Sequence, residues 1–349
     1  MAIDFSAIEG PYLRDILDQP RALEDTLDSL GTTPALMSIA SRLRSGEFGR
    51  VVLTGMGSSY HALHPMSIAL VNQGFTAMMI ETAELVHYYN RLFRRETLIV
   101  AVSQSGQSAE MVRLLEANHR QSALIAVTNT AESPLAQCAD ASILTKAGVE
   151  FSVSCKTYVT ALLALEWLTG VLCDRDLGRV REELERECPA VHLYLSSWKD
   201  HVQSLIRLLL ESRHIFLVGR GTSLAAAGTG ALIVKEADHF PAEGMSSAAF
   251  RHGPLEMLSH ESFVLVFSGD ELTRELNERL VRDIRAESGR AELVGKNSDL
   301  PAGKLPSMHP SIRPILEILP VQMITLALAA QLGREPGRFE LASKVTTRE

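Results

Sequence analysis

The sequence predicts an α/β fold made of two similar domains, each a parallel β-sheet flanked by helices in three layers, αβα, as in flavodoxin-like or Rossmann-like folds. Two observations support this prediction. Short apolar runs, LIVAV at 98–102 and ALIAVTN at 123–129, alternate with amphipathic helical stretches, which is typical of parallel strands covered on both faces. The chain also repeats itself, because 51–62 (VVLTGMGSSYHA) and 215–226 (IFLVGRGTSLAA) share five of twelve residues at an offset of 164.

The repeat continues at an offset of 165, where His87 matches His252 and Ser103 matches Ser268. An ordered series of matches at nearly constant offset indicates two copies of one unit, joined by the charged helical sequence RVREELERE. The predicted organisation therefore has four parts, which are a helical entry segment (1–34), a first domain (35–185), a second domain (186–335) and a C-terminal tail (336–349).

Composition limits the function classes. The 349 residues are 46% hydrophobic and 22% charged, which is typical of a folded globular protein. The 34 basic and 42 acidic residues give a net charge of −8 without a basic block, which argues against nucleic-acid and membrane-surface partners. The four cysteines form no CxxC pair, so we expect reduced thiols and neither disulfides nor a zinc site.

No signal segment is visible, and apolar stretches 157–173 and 318–332 are predicted to be buried core helices of a cytoplasmic protein.

Each copy begins with a short strand, a Gly-x-Gly turn and a helix rich in small residues. Such a turn is also found in dinucleotide-binding folds, and Glu81, which lies 24 residues after Gly57, keeps that alternative open. Tyr60 and Leu224, however, occupy the place of the third glycine that lets a helix approach a pyrophosphate. A dinucleotide cofactor is therefore disfavoured, and no cofactor is expected.

The segment SQSGQS at 103–108 lies between a buried strand and a helix start, where backbone N–H groups and the helix dipole favour an anion. Its hydroxyls and glutamine add hydrogen-bond donors without positive charge, which suits a phosphomonoester. The alternative is an ordinary serine cap on the helix. The matching turn of the second copy carries Asp270 and Glu271, whose charge would repel phosphate, so we expect one anion site per chain.

Proton-transfer groups occur in the second copy. Glu236 lies on a predicted helix and His252 precedes Gly253-Pro254. A carboxylate and an imidazole are suitable for opening a sugar ring and moving a proton between adjacent carbons. The alternatives are a solvated helix carboxylate for Glu236 and a turn residue for His252. No His, Asp or Glu cluster has metal-ligand spacing, and His61 and His64 are predicted to be packing residues, so no metal is expected.

The chain resembles the tandem SIS (sugar isomerase) domain proteins, especially the isomerase half of glucosamine-6-phosphate synthase and its stand-alone relatives. SQSGQSAEM resembles the family phosphate loop SQSGETADT, and RHGP resembles KHGP. YLRDILDQPRALEDTL is similar to the entry helix, GMGSSYHA to the first glycine turn, and LASKVT to the closing tail. EFSVSCKTYVT and VKEADHFPAEG are similar to EIGVASTKAFT and LKEISYIHAEA. The matching motifs extend over nearly the whole chain in the family order.

This resemblance implies roles for particular residues. Glu236 would be the enolisation base, His252 the ring-opening group, and Lys344 a tail residue that closes over the sugar. Val153 and Cys155 would line the sugar. The sugar phosphate would be bound by Ser58, Ser59, Ser103, Gln104, Ser105 and Ser108. Family members are dimers in which the histidine reaches the partner's site, so a homodimer is expected.

The chain departs from the synthase pattern. Ala2 follows Met1 where family synthases begin a glutaminase domain with cysteine, so we expect no glutaminase activity. Thr229, Ile233 and Ala249 replace charged residues near the catalytic positions, and the tail lysine is displaced by one place. These departures favour a phosphosugar isomerase or an amino-sugar-6-phosphate deaminase that acts on a hexose 6-phosphate. The alternatives are a fructosamine-6-phosphate deglycase and a non-catalytic sugar-phosphate-binding regulator.

Overall fold

The computed structural model of the chain describes residues 5–287, 289–341, 344 and 346, with the backbone only at residue 187. The chain divides into two compact units. The first unit contains Arg21–Val149, Lys156–Cys188 and the described residues from Leu341 onwards. The second unit contains the described residues up to Pro20, Glu150–Cys155 and Pro189–Glu340.

The first unit contains a five-stranded parallel sheet in the order β2-β1-β3-β4-β5. Its strands are β1 (Arg50–Gly55), β2 (Ala77–Glu81), β3 (Thr97–Val102), β4 (Ala123–Thr128) and β5 (Ala141–Leu144). Every residue of β3 is buried, which explains the uninterrupted apolar run in the sequence. The core on one face includes Val52, Ile99 and Leu114.

Helices cover this sheet. They are α2 (Gln19–Ser29), α3 (Pro34–Arg44), α4 (Gly57–His61), α5 (His64–Asn72), α6 (Thr82–Tyr88), α7 (Ala109–Asn118), α8 (Pro134–Cys138), α9 (Lys156–Leu172) and α10 (Leu177–Ser196). The start of α3 shows why these segments become helical, because the Thr33 side chain accepts a hydrogen bond from the N–H of Leu36 at 3.2 Å and Pro34 fills the first position. All of α9 is buried, so the apolar stretch 157–173 is a core helix, as predicted.

The second unit contains a four-stranded parallel sheet in the order β7-β6-β8-β9. The strands are β6 (His214–Gly219), β7 (Ala242–Ser246), β8 (Ser262–Phe267) and β9 (Arg290–Val294). Its helices are α1 (Pro11–Leu17), α11 (Trp198–Leu209), α12 (Leu224–Asp238), α13 (Ser247–Arg251), α14 (Arg274–Ala286) and α15 (Arg313–Leu332), and α2 and α10 carry the chain between the units. Single-turn 3₁₀ segments occur at Ser6–Ile8, Asn90–Leu92, Gly221–Ser223, Pro254–Met257 and Pro301–Gly303.

The two sheets confirm the duplication and the predicted fold class. The order β2-β1-β3-β4 in the first unit corresponds to β7-β6-β8-β9 in the second, and every pairing is parallel. Both glycine turns use the left-handed backbone region, with φ of 53° at Gly57 and 57° at Gly221. Small residues let α12 approach its sheet, since a Cβ at Gly230 would lie 2.9 Å from the side chain of Leu217.

Helix α15 is long and apolar enough to cross a membrane by length and composition alone, but 83% of its apolar window is buried within the folded chain. The stretch 318–332 is therefore part of a buried core helix, as predicted. None of the four cysteines, all of which lie in the described residues, forms a disulfide. Among the described residues, those up to Pro20 and Glu150–Cys155 group with the second unit, and those from Leu341 onwards group with the first, so these segments are grouped differently from the predicted boundaries.

Candidate active site

The carboxyl ends of β1 and β3 meet at one edge of the first sheet. A Cβ at Gly55 would lie 3.0 Å from the carbonyl oxygen of Val102 and 3.1 Å from the amide nitrogen of Tyr60. Only glycine therefore lets the turn after β1 lie against the end of β3 and the start of α4. Ser58 and Ser59, both half-buried, belong to the first turn of α4 at this edge. This is the place where open α/β sheets bind ligands.

The predicted phosphate loop follows β3 at the same edge. The hydroxyl of Ser103 accepts a hydrogen bond from the N–H of Gly106 at 3.1 Å, and that of Ser105 accepts one from the N–H of Gln107 at 3.4 Å. The carbonyl of Gln104 accepts from the N–H of Asn129 at 3.1 Å, which ties the loop to the next strand connection. Ser103 and Ser105 are buried and Gln104 is half-buried. These hydrogen bonds tie the loop to its own backbone and to the segment after β4.

Helix α7 begins directly after this loop. Ser108 is its N-cap residue and has extended backbone geometry, but its side chain makes no capping hydrogen bond within the described residues. Ser108 therefore occupies the N-cap position without a side-chain cap among the described residues. The hydroxyl lies beside the amino end of a ten-residue helix, where the first-turn N–H groups and the helix dipole favour an anion.

The C-terminal tail is bonded to the start of α7. The N–H of Ala109 donates to the carbonyl oxygen of Thr346 at 3.1 Å, within the first unit. Lys344, two residues earlier, is half-buried and has contacts of its own. The predicted tail residue and the predicted phosphate loop thus belong to the same unit. Residues 342, 343, 345 and 347–349 of the tail lie outside the described residues.

The predicted proton-transfer groups belong to the second unit and lie on different elements. Glu236 is half-buried near the end of α12, whereas the adjacent Lys235 is exposed. His252 is exposed at the end of α13, and its N–H donates to the carbonyl of Ala249 at 2.9 Å. Gly253 follows with a φ of 138°, so the chain turns sharply after the histidine.

A buried tyrosine lies in the neighbourhood of Glu236. Burial raises the pKa of Tyr12 well above its usual value, and the charges of Cys155, Asp238 and Glu236 raise it further. The hydroxyl of Thr325 donates to the Tyr12 hydroxyl at 3.2 Å, which opposes this effect. The predicted residues Glu236 and Cys155 both influence the charge state of this phenol. Sequence analysis did not single out Tyr12, although it belongs to the recognised entry segment.

The predicted sugar-lining residues lie in Glu150–Cys155, which is part of the second unit. Val153 and Cys155 are both fully buried, and the N–H of Cys155 donates to the Glu150 carboxylate at 2.9 Å. The hydroxyl of Ser152 donates to the carbonyl of Gly337 at 2.7 Å. The segment is thus fixed by polar contacts, and the sugar-lining role of Val153 and Cys155 stays a prediction.

The departures from the synthase pattern fall into two structural classes. Thr229 and Ile233 are fully buried on α12, so these positions face the protein interior. Ala249 is exposed on α13. The buried pair therefore supplies packing where the synthase pattern carries charge.

His61 and His64 are stacked, with ring centroids 6.3 Å apart, and burial together with His61 lowers the pKa of His64 to about 4. Both rings are half-buried, and their role as packing residues stays a prediction.

Comparison with known proteins identifies the same repeat. A profile of the SIS domain matches residues 47–169 and 208–332. Isomerizing glutamine–fructose-6-phosphate aminotransferase of Sulfurisphaera tokodaii is 28% identical over 341 residues, which are 97% of this chain and 56% of that protein. The chain thus spans little more than half the length of this relative.

Two solved structures show the same fold. Tagatose-6-phosphate ketose/aldose isomerase from Escherichia coli has a TM-score of 0.80 at 20% identity, covering 98% of this chain and 99% of that one. Glucosamine-6-phosphate deaminase from Thermotoga maritima has a TM-score of 0.75 at 19% identity, covering 97% and 100%.

Proposed function

The chain belongs to the SIS domain family, and from that premise we propose that it is an enzyme acting on a hexose 6-phosphate. The reaction is either aldose–ketose isomerisation or deamination of an amino-sugar 6-phosphate. The observation that carries the proposal is the loop at 103–108. Its hydroxyls stand at the start of α7, the Ser108 side chain makes no cap within the described residues, and the loop contains no basic residue.

In this proposal the phosphoryl group binds the first unit. Ser103, Gln104, Ser105 and Ser108, together with Ser58 and Ser59, donate hydrogen bonds to its oxygens. Neutral donors and a helix dipole stabilise a phosphomonoester without neutralising it fully, which allows product release. Lys344 adds a positive charge from the tail that is bonded to α7, and Val153 and Cys155 line the sugar.

The proton chemistry belongs to Glu236 and His252. His252 assists opening of the sugar ring by moving a proton between the ring oxygen and the anomeric hydroxyl. Glu236 then removes the C2 proton of the open aldose to give a cis-enediol, or an enolamine from an amino sugar, and returns the proton to C1. In the deaminase reaction, water then hydrolyses the resulting C2 imine to the ketose and releases ammonia. No electron leaves the substrate, so the reaction needs no redox cofactor. General acid–base catalysis of this kind contributes about 10²–10⁴-fold, and the fixed phosphate supplies positioning.

The proposal includes a homodimer in which His252 serves the partner's site. The exposure of His252 and of the following Gly253 supports this part, because an exposed imidazole is available to a second protomer. The protein would work in the cytoplasm, where hexose phosphates are found.

Two alternatives retain the same phosphate loop. A fructosamine-6-phosphate deglycase would use the same enolisation but release an amine. A non-catalytic sugar-phosphate-binding regulator is favoured by one observation, namely that buried Thr229 and Ile233 replace charged groups on the helix that carries Glu236.

Turnover and binding measured on the same samples distinguish these functions. The protein is incubated with glucosamine 6-phosphate, fructose 6-phosphate or fructosamine 6-phosphates, and aldose, ketose, released amine and ammonia are quantified. We expect Glu236→Gln to lose about 10²–10⁴-fold in turnover and to keep its affinity. Lys235→Gln, an exposed neighbour on the same helix, serves as the matched control. Binding without turnover in the parent protein supports the regulator, and unchanged binding in Ser105→Ala contradicts the phosphate assignment.

A further inference from the structure

The second unit contains a cavity of about 590 Å³ at the carboxyl ends of β8 and β9. Its walls are the turn at 268–272, the turn at 295–297, the segment 305–308 and the first two turns of α15. This is the position that the phosphate loop occupies in the first unit, because Ser268 follows β8 as Ser103 follows β3. The volume is within the range of small-molecule sites. The cavity includes none of the residues assigned above to phosphate binding or proton transfer.

Two charged side chains of α15 reach this cavity with unused hydrogen-bonding capacity. Glu317 is 2% exposed, and one of its carboxylate oxygens accepts from the Ser223 hydroxyl at 2.9 Å. Its other oxygen is buried and has no hydrogen-bond partner among the described residues. One Arg313 nitrogen, Nη1, is likewise buried and unpartnered there, while Nη2 donates to the Met308 carbonyl at 3.3 Å. Buried groups of this kind normally have a partner, which is protein, water or a bound ligand.

The charges in the cavity are separated in a way that selects a ligand. Arg313 and Glu317 are four residues apart, one turn along the same face of α15. Asp270 adds a second carboxylate, fixed because it accepts from the N–H and the hydroxyl of Thr273 at 3.2 Å each. Lys296 adds an exposed cation on the turn after β9. Glu271, Glu278 and Arg274 also line the cavity, so the site presents both signs of charge.

This pattern disfavours a sugar phosphate. A dianionic phosphoryl group close to two carboxylates would be repelled, and the cations would have to overcome that repulsion. A molecule with one ammonium and one carboxylate on the same carbon matches both signs without excess charge. An ammonium beside Glu317 also stabilises its ionised form, which burial alone disfavours.

We propose that this cavity binds an α-amino acid, whose ammonium group contacts the carboxylates of Glu317 and Asp270 and whose carboxylate contacts the guanidinium of Arg313. The site is separate from the proposed sugar-phosphate reaction and makes the two copies of the repeat bind different classes of small molecule. Its side-chain specificity comes from the walls at 295–297 and 305–308.

Calorimetric titration of the full chain tests the proposal. L-serine, L-glutamate and L-lysine are the probes, and the N-acetyl derivative of the best binder removes its positive charge. We expect a dissociation constant of about 1 mM or tighter for at least one amino acid. The same amino acid should bind at least tenfold more weakly to Glu317→Gln and to Arg313→Gln, and its N-acetyl derivative should bind at least tenfold more weakly to the parent.

Two controls keep this inference separate from the proposed enzyme function. Glu275→Gln makes the same chemical change at an exposed carboxylate of α14 outside the cavity and should leave binding unchanged. Ser105→Ala, in the phosphate loop, should also leave amino-acid binding unchanged while it weakens sugar-phosphate binding. The proposal is overturned if none of the three amino acids binds below about 10 mM, if Glu317→Gln binds as well as Glu275→Gln, or if glucose 6-phosphate displaces the amino acid in the Ser105→Ala protein.

Discussion

Replacing Glu317 with glutamine should change how the stability of the second unit depends on pH. Burial raises the pKa of Glu317 from 4.5 to about 7, with a further contribution from Asp270, while Arg313 and the Ser223 hydroxyl oppose the increase. The folded state therefore holds a proton that the unfolded chain releases near pH 4.5. At 1.36 kcal/mol per pKa unit, the difference between 4.5 and 7 corresponds to about 3 kcal/mol.

The sign follows from the raised pKa of the folded state. Protonated Glu317 contributes to the stability of the folded state. This contribution is fully present below about pH 4.5 and is lost as the pH rises through about 7. Between about pH 5 and pH 8 the unfolding free energy of the parent protein should fall by about 2.5 kcal/mol through this residue. Glu317→Gln has no ionisable group at this position and should not show this decrease. For a unit of this size that corresponds to roughly 5–10 °C in the unfolding midpoint.

The assay needs a signal from the second unit alone. The chain has two tryptophans, Trp167 in the first unit and Trp198 in the second. In a Trp167→Phe background, the fluorescence of Trp198 reports unfolding of the second unit across the pH series. Glu275→Gln, at an exposed carboxylate, is the control for the loss of one surface charge. Parallel pH dependence of the parent and Glu317→Gln would refute the reasoning.

Two further predictions concern the first unit. Gly106→Ala should destabilise it by about 2 kcal/mol or more and weaken glucose 6-phosphate binding, because φ is 60° and a Cβ would collide with the Ser133 side chain. Gly46→Ala, with φ of 81° and open space around the Cβ, should cost only about 1 kcal/mol, and equal losses in urea denaturation would contradict the steric argument. Ser108→Ala should leave the unfolding free energy within about 0.5 kcal/mol of the parent while lowering phosphate affinity. Ser133→Ala removes a side-chain cap that accepts from the Ala136 N–H, and should lower the unfolding free energy by about 1 kcal/mol.

The fold could be predicted from the sequence because local patterns determined most of it. The apolar runs at 98–102 and 123–129 are strands β3 and β4, and both are buried on the two faces of their sheet. The repeat at constant offset predicted two sheets of one topology, and the strand orders confirm it. The grouping of Glu150–Cys155 with the second unit could not be predicted, since it depends on side-chain contacts over long separations, such as the hydrogen bond from the N–H of Phe151 to Asp15.

The candidate site was predictable to a different extent in each unit. The loop after β3 can be recognised from its composition, because several hydroxyl side chains follow a buried strand and precede a helix. Glu317 has no such signal, since it lies within an apolar helix where a single carboxylate resembles an ordinary interruption. Tyr12 is similar, as its helix is amphipathic and its phenol is recognised only when Cys155 and Glu236 are found near it. Tertiary contacts, and not local pattern, place both groups.

The charge at one repeated position explains why two copies of one fold would bind different ligands. Ser105 in the first unit corresponds, at the offset of 165, to Asp270 in the second. A carboxylate about 5 Å from a phosphoryl charge costs about 3 kcal/mol at an effective dielectric constant near 20, which is more than a hundredfold in affinity. The same carboxylate attracts an ammonium group by a similar amount. A copy that carries Asp270 beside buried Glu317 is therefore poorly suited to sugar phosphates, and a copy with neutral hydroxyls has nothing to hold a cation. In this proposal, substitutions at this edge after the duplication change the ligand while the sheet that positions it is retained.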